Sequence, residues 1–193
     1  MPDNTIKMIA GLGNPGNEYE KTRHNAGFWF LERLLYQYNL SLKKDSKFFA
    51  EITRLNSASN AVWLIKPMNF MNRSGQSIAR LAQFYKIKPE QILVVHDELD
   101  LQPGTVKLKK GGGHGGHNGL RDTINHLGSK DFYRLRLGIG HPGSKEQVVG
   151  YVLGKTPATD KELIESAIDK SLDSLALILS GDLQKAMNQL HTK

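Results

Sequence analysis

Apolar positions recur along the chain at two spacings, and the alternation between them lays out the elements. Ile6-Lys7-Met8-Ile9-Ala10 is a short apolar run closed by Gly11 and reads as a strand. Gly11, Gly13, Pro15 and Gly16 punctuate the loop that follows. Phe28, Leu31, Leu34, Leu35 and Tyr38 recur at helical spacing and mark an amphipathic helix. Residues 48–55 and 61–65 read as two strands around the polar turn Asn56-Ser57-Ala58-Ser59-Asn60. Ile78, Leu81, Ala82 and Tyr85 set a second helix. Ile92-Leu93-Val94-Val95 is apolar throughout, as a strand buried on both faces requires. Residues 105–109 and 134–139 alternate and read as strands, with a glycine-rich run and a short helix over 120–127 between them. Thr156-Pro157 predicts an N-cap with proline at the first helical position. The helix behind it carries Ile164, Ile168, Leu172, Leu175 and Leu179 and ends at Gly181, and a last helix covers 182–190. Strands interleaved with helices predict an α/β fold, and the hairpins make its single twisted sheet mixed rather than purely parallel. No linker or internal repeat divides the 193 residues, so residues 1–193 form a single domain.

Composition narrows the partners. The chain has no cysteine, which excludes disulfides, thiolate metal ligands and a cysteine nucleophile. No apolar run approaches the roughly 18 residues of a membrane span. The N-terminal stretch MPDNTIKMIAGLG lacks a signal-peptide pattern, so a cytoplasmic location and no membrane partner are expected. Lys and Arg number 26 against 19 Asp and Glu, a net charge of +7 that favours an anionic partner such as RNA, DNA or a phosphorylated metabolite.

Gly11-Leu12-Gly13-Asn14-Pro15-Gly16 matches the dinucleotide-binding G-x-G-x-x-G directly after a strand. Three features weigh against that use. The helical period starts well after Gly16, Pro15 removes a backbone N–H, and the acid about 20 residues on, Glu32, falls inside the helical pattern. A tight loop whose glycines adopt positive φ is one alternative. Presentation of Asn14 on a rigid frame at a strand end is another.

Candidate chemistry centres on histidine and aspartate. His24, in Thr22-Arg23-His24-Asn25-Ala26-Gly27, titrates in the range useful for proton transfer and needs an orienting partner. Asp97, in His96-Asp97-Glu98-Leu99-Asp100, ends a buried strand, where α/β sheets bind ligands. Spacing alone does not bring the two together. His114 and His117 flank two glycines but supply too few ligands for tetrahedral zinc, so no metal is expected. If Val106, Leu108, Leu135 and Leu137 face the core, Lys107, Lys109, Arg134 and Arg136 face outward as a candidate phosphate clamp, or as an ordinary solvated face.

Taken together, six ordered blocks resemble the bacterial peptidyl-tRNA hydrolase family. They are Gly11-Leu12-Gly13-Asn14-Pro15-Gly16; Tyr19 with the His24 block; Lys66-Pro67-Met68-Asn69-Phe70-Met71-Asn72-Arg73-Ser74-Gly75; the Asp97 block; Gly111-Gly112-Gly113-His114-Gly115-Gly116-His117-Asn118-Gly119-Leu120; and Arg136-Leu137-Gly138-Ile139-Gly140-His141-Pro142-Gly143. Asn69 stands where many members have Thr. The resemblance implies one α/β domain with a twisted mixed β-sheet surrounded by α-helices. It also implies hydrolysis of the ester between a peptide and the 3′ ribose of tRNA, without metal or other cofactor, by a monomer. His24 then corresponds to the catalytic base and Asp97 to its orienting partner. Asn14, Tyr19, Met71, Asn72 and Asn118 correspond to substrate-binding residues, and Lys109 and Arg136 to a clamp on the tRNA 5′ phosphate. The competing reading is a non-catalytic RNA-binding relative of the same fold. The Gly- and Pro-punctuated segment after Gly140 is a candidate lid.

Overall fold

The computed structural model describes residues 3–58 and 60–192. Its strands are β1 (Met8–Gly11), β2 (Lys43–Asp45), β3 (Ala50–Asn56), β4 (Ala61–Pro67), β5 (Ile92–Glu98), β6 (Val106–Lys110) and β7 (Tyr133–Gly138). The helices are α1 (Ala26–Gln37), α2 (Ser74–Phe84), α3 (Asn118–Leu127), α4 (Val148–Val152), α5 (Ala158–Asp173), α6 (Leu175–Leu179) and α7 (Leu183–His191). Among the described residues the strands form one sheet in the order β2-β3-β4-β1-β5-β7-β6. The four central strands β4, β1, β5 and β7 are parallel, and the flanking pairs are antiparallel. The expected mixed sheet is therefore present. Among the described residues, no helix is long and apolar enough to cross a membrane.

Two cores sandwich the sheet. Ile9, Leu64, Leu93, Val95 and Leu135 face α1, α5, α6 and α7, while Met8, Ala10, Ile65, Ile92 and Val94 face α2 and α3. The continuous run in β5 is apolar because both of its faces are covered. At Gly27 in α1, an added Cβ would lie 2.4 Å from the Val95 carbonyl oxygen and 2.5 Å from the Leu12 backbone. This close approach seats the start of α1 on the carboxyl ends of β1 and β5. Gly11 and Gly13 act in the same way, against the Gly27 carbonyl and the Phe28 ring; in their loop only Gly16 has a positive φ, 110°. The glycine motif thus serves packing more than turn geometry.

Local chemistry moves several expected boundaries. Phe48 ends a 3₁₀ turn and Phe49 takes the left-handed region at φ 51°, so β3 starts only at Ala50. The exposed strand β2 has no apolar pattern; its pairing with β3 creates it. The helix expected through Leu179 breaks at Ser174 into α5 and α6. Thr156 does not cap α5. Its N–H and its hydroxyl both donate to the Lys21 carbonyl, at 2.8 and 2.9 Å, which ties the chain ahead of His24 to the start of α5. At the open edge of the sheet, the Leu108 N–H on β6 donates to Nε2 of His191, the last residue of α7, at 3.1 Å.

Candidate active site

Loops at the carboxyl ends of β1, β4 and β5 converge on one side of the sheet, where α/β folds bind ligands. His24 sits in a 3₁₀ turn just ahead of α1, and Asp97 is the sixth residue of β5. Across 73 positions of sequence, His24 Nδ1 lies 2.9 Å from Asp97 Oδ2. A carboxylate only accepts, so Nδ1 carries the proton and Nε2 keeps its lone pair. Burial lowers the His24 pKa, but the charge and hydrogen bond of Asp97 outweigh it and hold the ring above the ordinary histidine value. Burial would raise the Asp97 pKa; His24 and His117 together hold it well below the usual carboxylate range.

His117, which the sequence offers only as one of too few metal ligands, joins this pair in the structure. It caps α3: its Nδ1 accepts from the N–H groups of Gly119 and Leu120 at 3.1 and 3.3 Å. With Nδ1 accepting, Nε2 carries the proton, and it donates to Asp97 Oδ1 at 2.8 Å. Both carboxylate oxygens are therefore engaged. The ligand-type atoms of His24, Asp97 and His117 lie within 4.8 Å of one another, a spacing a cation could use. In this tautomer, however, His117 Nε2 has no lone pair for a metal, and the group reads as a proton network. His96 packs edge-on against His117, with ring centroids 5.1 Å apart. Its Nδ1 donates to the Asp97 carbonyl at 2.8 Å, and burial pushes its pKa down to about 4.

Asparagines surround this centre. Asn118 is the first residue of α3, exposed on a cleft of about 140 Å³ that His24, Asp97 and His117 also line. Val149, Val152 and Leu153, from the segment expected as a lid, form part of its wall, and the Tyr151 hydroxyl anchors that segment to the Ile139 carbonyl at 2.6 Å. Asn14 lies in a neighbouring hollow with Asn25 and Lys66. Its side-chain oxygen accepts from the Met71 N–H at 2.6 Å, which leaves its NH₂ to donate to a ligand. Asn25, missed from sequence, braces the Asn14 backbone in both directions, at 2.8 and 3.0 Å. Asn72 is exposed in the 3₁₀ turn Met71–Arg73 after β4. Met71 is buried beside Gly119, so it contributes its backbone N–H rather than an exposed side chain. Tyr19 meets the exposed Phe70 edge-on, with centroids 6.2 Å apart.

The cationic face differs from the expected one. Lys107 pairs with Arg136 across β6 and β7, and Lys109 with Arg134, which makes Lys109 and Arg136 diagonal neighbours. Lys107 and Lys109 are exposed and Arg136 is half-buried. Arg134, expected to face outward, is instead buried at 3% exposure. Its guanidinium donates to the carbonyls of Gly113, Gly112 and Lys130 at 2.6, 2.5 and 3.2 Å. It lies on the sheet face opposite Leu135, as the alternation requires, but the glycine-rich loop folds over it. Arg134 thus pins the loop that delivers His117 and Asn118. Arg134→Met keeps the volume and loses all three bonds. We expect a loss of about 1–3 kcal/mol of stability, seen in denaturant unfolding, together with a lower turnover rate as the loop loosens.

The chain is similar to known proteins along nearly its whole length. The family model described as peptidyl-tRNA hydrolase matches residues 8–193. A relative from Neisseria gonorrhoeae (strain NCCP11945), named peptidyl-tRNA hydrolase, is 58% identical over 190 residues, covering 98% of this chain and 99% of its own. Another of that name, from Vibrio parahaemolyticus, is 57% identical over 188 residues, covering 97% and 96%. The crystal structure of peptidyl-tRNA hydrolase from Acinetobacter baumannii superimposes with a TM-score of 0.95 at 53% identity, covering all of this chain and 97% of that one. With matched motifs running the length of the sheet and a histidine–aspartate pair at its carboxyl edge, the chain belongs to the peptidyl-tRNA hydrolase family.

Proposed function

We propose that the protein hydrolyses the ester between the carboxyl terminus of a peptide and the 3′ ribose of tRNA, recycling tRNA from chains lost by the ribosome. The observation that carries this reading is the 2.9 Å contact between His24 Nδ1 and Asp97 Oδ2, which leaves Nε2 as a base at the cleft. His24 Nε2 takes a proton from water as the water oxygen attacks the ester carbonyl. Asp97 steadies the imidazolium that forms. An amide of Asn118 or Asn72 donates to the oxyanion of the tetrahedral intermediate. Collapse breaks the bond to the ribose oxygen, which leaves with the proton held on His24. Asn14 presents its NH₂ to a peptide carbonyl, a contact that free aminoacyl-tRNA lacks. Tyr19 and the turn carrying Met71 and Asn72 flank the peptide. Lys109 and Arg136 take the 5′ phosphate, so that affinity falls with salt. The enzyme acts as a monomer in the cytoplasm, where its substrate arises.

The test is hydrolysis of an N-blocked aminoacyl-tRNA alongside its unblocked counterpart. Rapid release from the blocked substrate only is expected. Salt-sensitive tRNA binding without release from either would overturn the enzymatic reading in favour of an RNA-binding protein.

A further inference from the structure

The cationic face of β6 and β7 carries a carboxylate. Arg136 Nε donates to Glu98 Oε1 at 2.9 Å, and the two side chains are only 21% and 19% exposed. Register accounts for the pair: Arg136 stands opposite His96 on β5, and Glu98 is two residues further along on the same face. Burial raises the Glu98 pKa, but the hydrogen bond and charge of Arg136 outweigh burial and keep the carboxyl ionised at neutral pH. Among the described residues the Arg136 Nη atoms have no hydrogen-bond partner, and neither Lys107 nor Lys109 has an acidic one. Glu98 therefore partly cancels the one arginine offered to the substrate phosphate while leaving its Nη groups available.

We propose that Glu98 is an intrinsic competitor for Arg136, which limits affinity for the terminal phosphate so that the tRNA product leaves. The proposal rests on Arg136 binding that phosphate in the proposed reaction. A phosphate remote from the ester is held equally before and after hydrolysis, so stronger binding there retards release without lowering the chemical barrier. A terminal monoester, with a charge near −1.5 to −2 at pH 7, feels a neighbouring carboxylate about twice as strongly as a phosphodiester does. Removing that carboxylate should therefore tighten the 5′-phosphorylated product above all.

Glu98→Gln keeps an acceptor for Nε and removes the charge. The experiment measures binding of deacylated tRNA, with its 5′ phosphate intact or enzymatically removed, to wild type, E98Q, R136M and the double variant. It needs no catalysis and is therefore independent of the neighbouring Asp97. We expect E98Q to bind the phosphorylated tRNA about 3- to 5-fold more tightly, with a smaller change for the 5′-hydroxyl form. The gain should vanish in the double variant. In steady state, E98Q should show a lower KM and a burst followed by slow product release. Unchanged or weaker binding by E98Q, with R136M still impaired, would overturn the competitor role alone. A wild type indifferent to the 5′ phosphate, with R136M unaffected, would overturn the phosphate site itself and the competitor role with it.

Discussion

His24→Ala is expected to lower the single-turnover rate by about 10²–10⁴-fold and to leave the affinity for tRNA nearly unchanged. The split follows from where the side chain sits. His24 lies at the cleft with its Nδ1 committed to Asp97, so its remaining contribution is a proton acceptor at Nε2. The cations proposed to bind tRNA lie on the β6 and β7 strands, not around His24. Single-turnover hydrolysis of blocked aminoacyl-tRNA, paired with a binding titration, reads both quantities. A near-normal rate would remove His24 from the chemistry.

Asp97→Asn is expected to cost about 10³–10⁴-fold in rate, by a route that His117 dictates. An asparagine at 97 offers one oxygen and one NH₂ to two histidines. His117 is locked as a donor at Nε2, because its Nδ1 accepts from the start of α3. The oxygen must then turn towards His117 and the NH₂ towards His24. His24 Nδ1 becomes an acceptor, its proton moves to Nε2, and the base is lost. The pH profile gives a second readout. In the wild type the rate requires neutral His24, whose pKa lies above the ordinary 6.5, so the acidic limb of kcat/KM falls above pH 6.5. The variant loses both raising influences and retains burial, which lowers the pKa, so its residual activity shows that limb displaced to lower pH. A limb that stays in place would separate Asp97 from His24.

Which parts of this site the sequence discloses depends on the range of the interactions that build them. The strands and long helices are legible because burial imposes a period, as in Ile92-Leu93-Val94-Val95 and in the stripe from Phe28 to Leu34. His24 and Asp97 are legible as candidates, since each stands beside an element end, and the resemblance of six ordered blocks joins them into one centre. His117 is not legible, because its role depends on capping a helix and meeting a carboxylate 20 residues away at the same time. Arg134 misleads for a related reason. Alternation gives the correct face, but a glycine-rich loop with no apolar signal of its own covers that face. Thr156 has the composition of a cap, yet the Lys21 carbonyl, 135 residues away, takes its hydroxyl.

The contact between α7 and β6 has a bearing on solubility. A strand at the margin of a sheet exposes a row of backbone donors that another molecule can complete. Here His191 accepts from the Leu108 N–H, which it does only while Nε2 is unprotonated. Partial burial, helped by Lys107, Lys170 and Arg136, keeps it so by lowering its pKa. Acidification removes that acceptor and frees the Leu108 N–H to pair with another molecule, so acid-induced self-association, read by light scattering, is expected to set in as His191 takes up its proton.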